Sequence, residues 1–415
     1  MSGSMPLRGN AVFRRFMVAR AVSWAGSAVT LVALPMLLYQ RTGSPALTAL
    51  LTTLEALPYL LFGLLAGALA DRWSRRRIMV VTSVVDALVL LTVPLASAFG
   101  VLSTPQLLVV AVLTATMAVF FDAASFGALP TIVPRAQLPQ AQSASTAVST
   151  VISLAGPALG GGLAAVAGAA EAMTVNAVTF ALAAVVLARL PLASVRAVSA
   201  LRKSTVRADI MEGLRFIARH RLVRSLTLLG IGNSVTSGAV IGLLVVVCVE
   251  RLGLPSDSSQ IGLFYAVSGF GALLATVALP LLAKRLPVGW TTLFGLGANW
   301  LLLVAWTSSA AVVPALVAIG LWQLTNTLVI INGITVRMQV TPDALQGRVN
   351  TTARMIAWGG QPLGAALGGV LAEAFGVRVA LLVMGCGVLV SFVAGFATPL
   401  RERSLTVEEP TAAAA

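Results

Sequence analysis

The chain has 415 residues, of which 58% are apolar and only 10% charged, with a formal net charge of +14. So little charge cannot cover the surface of a water-soluble domain of this size. Two cysteines, Cys248 and Cys386, and a lone His220 leave no disulfide framework and no histidine-based metal or hydrolase site.

The apolar residues fall in continuous blocks, each long enough for the ~20 residues a helix needs to cross a bilayer. They lack the period-two alternation of a barrel strand. Six blocks lie at 16–40, 45–70, 78–100, 105–128, 142–166 and 170–190. A polar, basic stretch occupies 191–221, six more blocks follow at 222–249, 260–283, 288–306, 311–336, 350–373 and 377–398, and a tail covers 399–415. The first block follows Arg14 and Arg15 and lacks a convincing cleavage site, so it reads as a span rather than a signal peptide.

The placement of the cations fixes the expected topology. With the N-terminus inside, 23 of the 28 Lys and Arg fall on the cytoplasmic side and only Arg41, Arg251 and Arg378 outside, while Arg20 and Arg354 sit just within spans. That asymmetry predicts twelve spans with both termini cytoplasmic, and it assigns the positive charge to topology and membrane lipid rather than to nucleic acid. Within the basic stretch, residues 209–217 carry apolar side chains at helical spacing, which predicts an amphipathic helix on the inner membrane surface.

An internal repeat is visible. A shift of 208 residues carries Pro134 onto Pro342 and Gly156-Pro157-Ala158-Leu159-Gly160-Gly161 onto Gly364-Ala365-Ala366-Leu367-Gly368-Gly369. Six spans duplicated as a unit predict an all-α integral membrane protein of twelve transmembrane helices in two pseudo-symmetric halves, 1–190 and 222–398, joined by the linker 191–221. Parallel halves around a central cavity are a transporter architecture. The spacing of Gly156 and Gly160, and of Gly364 and Gly368, lets helices approach closely, and Pro157 bends its helix. Such contacts either open and seal the cavity or serve ordinary close packing.

Carboxylates within spans are costly, so each is a functional candidate. Glu55 in span two, near Pro58, is the leading candidate for a protonatable or cation-binding group, with a structural hydrogen bond or ion pair as the alternative. Asp86 in span three is a second candidate, open to pairing with Arg20 or another cation. Asp122 lies in span four. Trp24, Asn176, Asn326 and Trp358 are candidates for lining a substrate cavity.

The loop after span two reads Gly67-Ala68-Leu69-Ala70-Asp71-Arg72-Trp73-Ser74-Arg75-Arg76-Arg77. It resembles the signature loop of the major facilitator superfamily, Gly-x-Leu-Ala-Asp-Arg-x-Gly-Arg-Arg, with Ser74 where the family usually has glycine. The span-five segment resembles the family's antiporter motif, Gly-x-x-x-Gly-Pro-x-x-Gly-Gly, with Ile152 in place of its first glycine. Gly43-Ser44-Pro45, Phe120-Phe121-Asp122-Ala123-Ala124, Glu212-Gly213-Leu214-Arg215-Phe216 and Pro342-Asp343-Ala344-Leu345-Gln346-Gly347-Arg348-Val349-Asn350 are similar to the branch holding bacterial macrolide and enterobactin exporters.

The resemblance implies the major facilitator fold and a conformational latch. In it Asp71 faces the start of span eleven, near 347–351, Arg75 pairs with Asp122, and Gly67, Arg72 and Arg76 complete the loop. It also implies efflux of an amphipathic small molecule, an antibiotic, drug or natural product, by alternating access, with import of a nutrient as the rival. No phosphate-binding loop of the Gly-x-x-x-x-Gly-Lys-Ser/Thr type is present, so the expected drive is a proton or other cation gradient without a cofactor. No histidine cluster or metal-ligand constellation supports an enzyme, the tail offers no signalling module for a sensor, and no obligatory protein partner is implied. Arginine far outnumbers lysine, a bias that points to a GC-rich bacterial source and so to the bacterial cytoplasmic membrane.

Overall fold

The computed structural model describes residues 7–134, 137–191, 206–342 and 345–401. Thirteen long helices carry the described residues: α1 (Ala11–Thr42), α2 (Pro45–Arg72), α3 (Arg75–Ala98), α4 (Thr104–Ile132), α5 (Leu138–Ala167), α6 (Ala169–Ala188), α7 (Val206–Arg219), α8 (Arg221–Gly242), α9 (Ser259–Ala283), α10 (Val288–Ser308), α11 (Val312–Val340), α12 (Gln346–Phe375) and α13 (Val377–Gly395). After α8 the chain continues through a short helix, Leu244–Val246, and a π-helical turn, Val247–Arg251. Among the described residues, eleven helices are long and apolar enough to cross a membrane. α12, with 30 residues, stands where the eleventh span is expected.

Helix ends follow local chemistry. Asn10 caps α1 by accepting from the Phe13 N–H at 3.0 Å, and Gly43 ends it at φ 59°, a left-handed conformation that glycine adopts without strain. Ser74, the departure from the family's glycine, sits at φ −64° and caps α3, its Oγ facing the Arg77 N–H at 3.5 Å. The conformation there needs no glycine, so a serine fits and supplies a cap. Prolines 35, 58, 94, 130, 157, 280 and 362 lie inside helices, as a membrane setting tolerates. Large apolar side chains are widely exposed, from Leu61 and Phe126 to Val390, which suits contact with lipid. Cys248 is buried, whereas Cys386 on α13 is exposed.

The chain divides into two compact units. The first is Met1–Gly43 with Leu54–Ala200 and Leu254–Ala266, and the second is Ser44–Thr53 with Leu201–Gly253 and Val267–Ala415. In the first, α6 packs against α1 and α3 around Phe16, Met79, Ala124 and Leu187. In the second, α8 packs against α12 and α13, and α10 against α11, around Leu293, Leu296, Val349 and Val388.

Small residues explain why each unit borrows a segment from the other sequence half. A Cβ on Gly161 of α5 would lie 2.6 Å from the Gly262 Cα, so α5 and α9 touch backbone to backbone within the first unit. A Cβ on Gly369 of α12 would lie 2.8 Å from the Ala49 Cβ, so α12 meets the start of α2 within the second. Gly161 and Gly369 are equivalent in the repeat, and each makes the same kind of crossing. The basic stretch contains α7, which packs on α12 and α8, with Ile217 buried and Phe216 stacked on His220 at 5.6 Å.

Candidate functional site: two membrane cavities

Helices α1 to α4 and α6 of the first unit enclose a cavity of about 330 Å³ lined by Trp24, Glu55, Tyr59, Asp86, Asp122 and Asn176. Three of the expected residues that carry carboxylates thus share one wall system. Glu55 projects from α2 and makes no hydrogen bond among the described residues. Asp86 on α3 is 2% exposed, and its Oδ1 has no partner among the described residues. Ser23 Oγ, buried on α1 in the same lining, is unpartnered among them too. Buried polar atoms left so are normally satisfied by water or an ion.

Asp122 stands apart from the pair. It accepts a hydrogen bond from the Tyr59 hydroxyl at 3.0 Å and lies within reach of the charge on Arg20. Arg20 in turn stacks on Trp24, 4.3 Å from the ring centroid, and donates to Ser145 Oγ at 3.2 Å. Tyr59 and Asp122 therefore tie α2 to α4, Arg20 and Ser145 tie α1 to α5, and the two pairs are linked only by the longer-range attraction between Arg20 and Asp122. The partner expected for Asp86 is thus Asp122's instead: Arg20 faces Asp122, and no charged group among the described residues interacts with Asp86. Asn176 donates to Thr30 Oγ1 at 2.6 Å and accepts from Thr179 at 3.1 Å, so it braces α6 on α1 while lining the cavity.

The signature loop makes a different set of bonds. Arg75 Nη1 donates to the Gly127 carbonyl at 2.6 Å and Nε to the Ala70 carbonyl at 3.4 Å, while Arg76 Nη1 donates to the Leu190 carbonyl at 3.2 Å. These bonds tie α3 to α2, α4 and the end of α6. The contacts described for Asp122 are with Tyr59 and Arg20, not with Arg75. Gly67 and Arg72 lie in the last turns of α2. The side chains of Asp71, of residues 346–348, 350 and 351, and of Trp358 lie outside the described residues.

The antiporter-like glycines are contact points within each unit. A Cβ on Gly156 would lie 2.5 Å from Ala28 Cβ, and one on Gly160 would lie 2.8 Å from Val29 Cα, both on α1. The repeat places Gly364 and Gly368 against Val235 and Ala239 of α8. Pro157 is buried on α5 beside them.

A second cavity, of about 370 Å³, lies in the second unit among α8, α10, α11 and α12. Its polar lining includes Thr227, Asn233, Ser237, Arg337 and Gln361. Asn326 is buried behind it and accepts from Asn233 Nδ2 at 2.8 Å. Arg337 is one of the 23 cations expected on the cytoplasmic side, just past the apolar block 311–336. α11 runs on to Val340 and carries Arg337 inside the helix, 9% exposed. Its spacing holds the clue: Arg337 lies eleven residues after Asn326, about three helical turns on the same face.

A family profile described as "Transmembrane secretion effector" matches residues 1–413. The multidrug efflux pump Tap of Mycolicibacterium fortuitum is 30% identical over 401 residues, covering 93% of this chain and 96% of that one. The macrolide efflux protein A of Streptococcus pyogenes is 26% identical over 216 residues, covering 50% and 53%. The crystal structure of the nucleoside transporter NupG superposes with a TM-score of 0.74 over 93% of this chain and 98% of that one, at 11% identity, which speaks for the fold alone. Helical architecture, internal repeat and whole-chain match agree, and the chain belongs to the transmembrane secretion effector family of major facilitator transporters.

Proposed function

We propose that this transporter exports an amphipathic small molecule across the bacterial cytoplasmic membrane, both termini cytoplasmic, in exchange for protons. The observation that carries the reading is the first-unit cavity, where Glu55 and the buried Asp86 share a wall and neither is neutralised by a cation among the described residues. A carboxylate in that position is expensive unless it takes up a proton or a cation, which is what a coupling group must do. The apolar and aromatic remainder of the wall, with Leu31, Leu90, Phe121 and Phe180, suits an amphipathic solute. Similarity along nearly the whole chain to a protein named as a multidrug efflux pump supports the outward direction.

In this reading the two sequence halves give the solute access to each side of the membrane in turn, and protonation of Glu55 or Asp86 from outside drives the return. Asp71 with Gly67, Arg72, Arg75 and Arg76 forms the latch, and the small-residue crossings at Gly156, Gly160, Gly364 and Gly368 are the packed surfaces around which movement occurs. The test is energised efflux of a fluorescent amphipathic dye and of a macrolide from cells, with and without a protonophore. Wild type should extrude, the protonophore should stop it, and Glu55→Gln or Asp86→Asn should abolish the gradient-driven part at matched expression. Efflux insensitive to the protonophore would remove proton coupling, and energised uptake of the dye would reverse the direction.

A further inference from the structure

The first unit's cavity carries the acids, and the second unit's cavity carries a cation that no described residue neutralises. Arg337 is buried at 9% exposure, its Nε is without a partner, and its guanidinium makes no hydrogen bond or ion pair among the described residues. No acidic side chain among the described residues lines that cavity. The C-terminal end of α11 favours a cation there through its dipole, but it offers Nε no acceptor. A buried guanidinium without a counter-charge is costly, and the cost is recovered when an anion enters. Planar guanidinium matches a carboxylate through paired N–H donors.

The surrounding wall narrows the ligand further. Leu229, Val329 and Ile330 form an apolar bed beside the charge. Asn233 spends its Nδ2 on Asn326, and its Oδ1 is left as an acceptor for a hydroxyl or N–H. We propose that the second unit's cavity is an anion site, in which Arg337 takes the carboxylate of an apolar-bodied solute. In terms of the exporter reading, on which this assignment of the ligand as cargo rests, the transported molecule carries an acidic group.

The test measures binding by the full-length protein in phosphatidylcholine nanodiscs, with equilibrium dialysis of 2-naphthoate and of its neutral counterpart 2-naphthamide. Wild type should hold the acid about tenfold more tightly than the amide, the scale of one charge-assisted pair. Arg337→Gln should erase that preference by bringing acid binding down to the level of the amide, and Arg337→Lys should keep part of it. Equal binding of acid and amide by wild type, no measurable binding of the acid, or a preference that survives Arg337→Gln would each overturn the site. Loss of both ligands in Arg337→Gln, with both retained in Arg337→Lys and no acid preference, would mark Arg337 as structural only. Adding phosphatidylglycerol separates two sources of the anion: acid binding that persists assigns the site to a solute, and acid binding that disappears overturns that assignment in favour of a lipid headgroup. Dye efflux in cells, run beside it, keeps the two readings distinct. Efflux without acid preference retains the exporter and removes the site, and acid preference without efflux does the reverse.

Discussion

Arg75 donates through Nη1 to the Gly127 carbonyl at 2.6 Å, at a point where a Cβ on Gly127 would lie 2.8 Å from Arg75 Nε. The arginine therefore reaches α4 only because residue 127 has no side chain. The glycine belongs to no expected motif, yet it shapes the seat of the signature loop's arginine.

Gly127→Val should displace the guanidinium and cost about 1.5–3 kcal/mol, the range for a hydrogen bond from a charged donor. Arg75→Ala loses the bond to the Ala70 carbonyl as well and should cost more, and the double variant should cost little more than Arg75→Ala alone, because the contact at Gly127 is then already gone. Thermal unfolding of the purified protein measures the three values; additive losses would show that Gly127 does not act through Arg75.

The contact of Gly161 with Gly262 leaves no room for a Cβ at either position. Gly161→Ala and Gly262→Ala should therefore each lower the unfolding midpoint of the purified protein, and with it dye efflux, because backbone stands where the new Cβ must go. Bulkier Gly161→Leu should lower both folded yield and efflux, since backbone rather than a flexible side chain blocks its Cβ.

Asn233 and Asn326 form a buried amide pair at 2.8 Å between α8 and α11. Replacing one by leucine leaves the other without its partner in an apolar interior and should cost about 1–3 kcal/mol. Replacing both should cost less than the sum of the single changes. A double-mutant cycle on unfolding midpoints reads the coupling.

His220 caps α8, its Nδ1 accepting from the Val223 N–H at 3.4 Å, and burial pushes its pKa below the ordinary 6.5. Nδ1 can accept only when it carries no proton. The folded state thus binds the proton less well than the unfolded chain, so this contribution is complete above about pH 6.5 and is lost as pH falls through that value toward the lower folded pKa. Unfolding midpoints measured between pH 7.5 and 5 should fall on the acid side in wild type. His220→Asn, which caps without titrating there, should flatten the slope.

The spans are legible in the sequence because the bilayer demands an unbroken apolar length, and both halves of the repeat keep it. Charge asymmetry and the signature loop are legible for a related reason: they are local. Pairings across the bundle are not. Arg20 can be placed within a span but not opposite Asp122, since that choice depends on how α1 and α4 are turned toward each other. Arg337 is hidden because apolar character fades before the helix does: the block ends at 336, while α11 keeps its hydrogen bonds to Val340. Ser74 looks like a weakened motif and is a helix cap.

The uneven fate of the two cysteines equips the chain with its own gauge of integrity. Once the bilayer is replaced by detergent, a small apolar maleimide should modify Cys386, which faces outward from α13, and spare Cys248, which lies enclosed in the second unit. One label per chain then reports a folded molecule, and two report an opened one. Any variant above that keeps both thiols can be judged by that ratio before its transport is measured, without adding a tag.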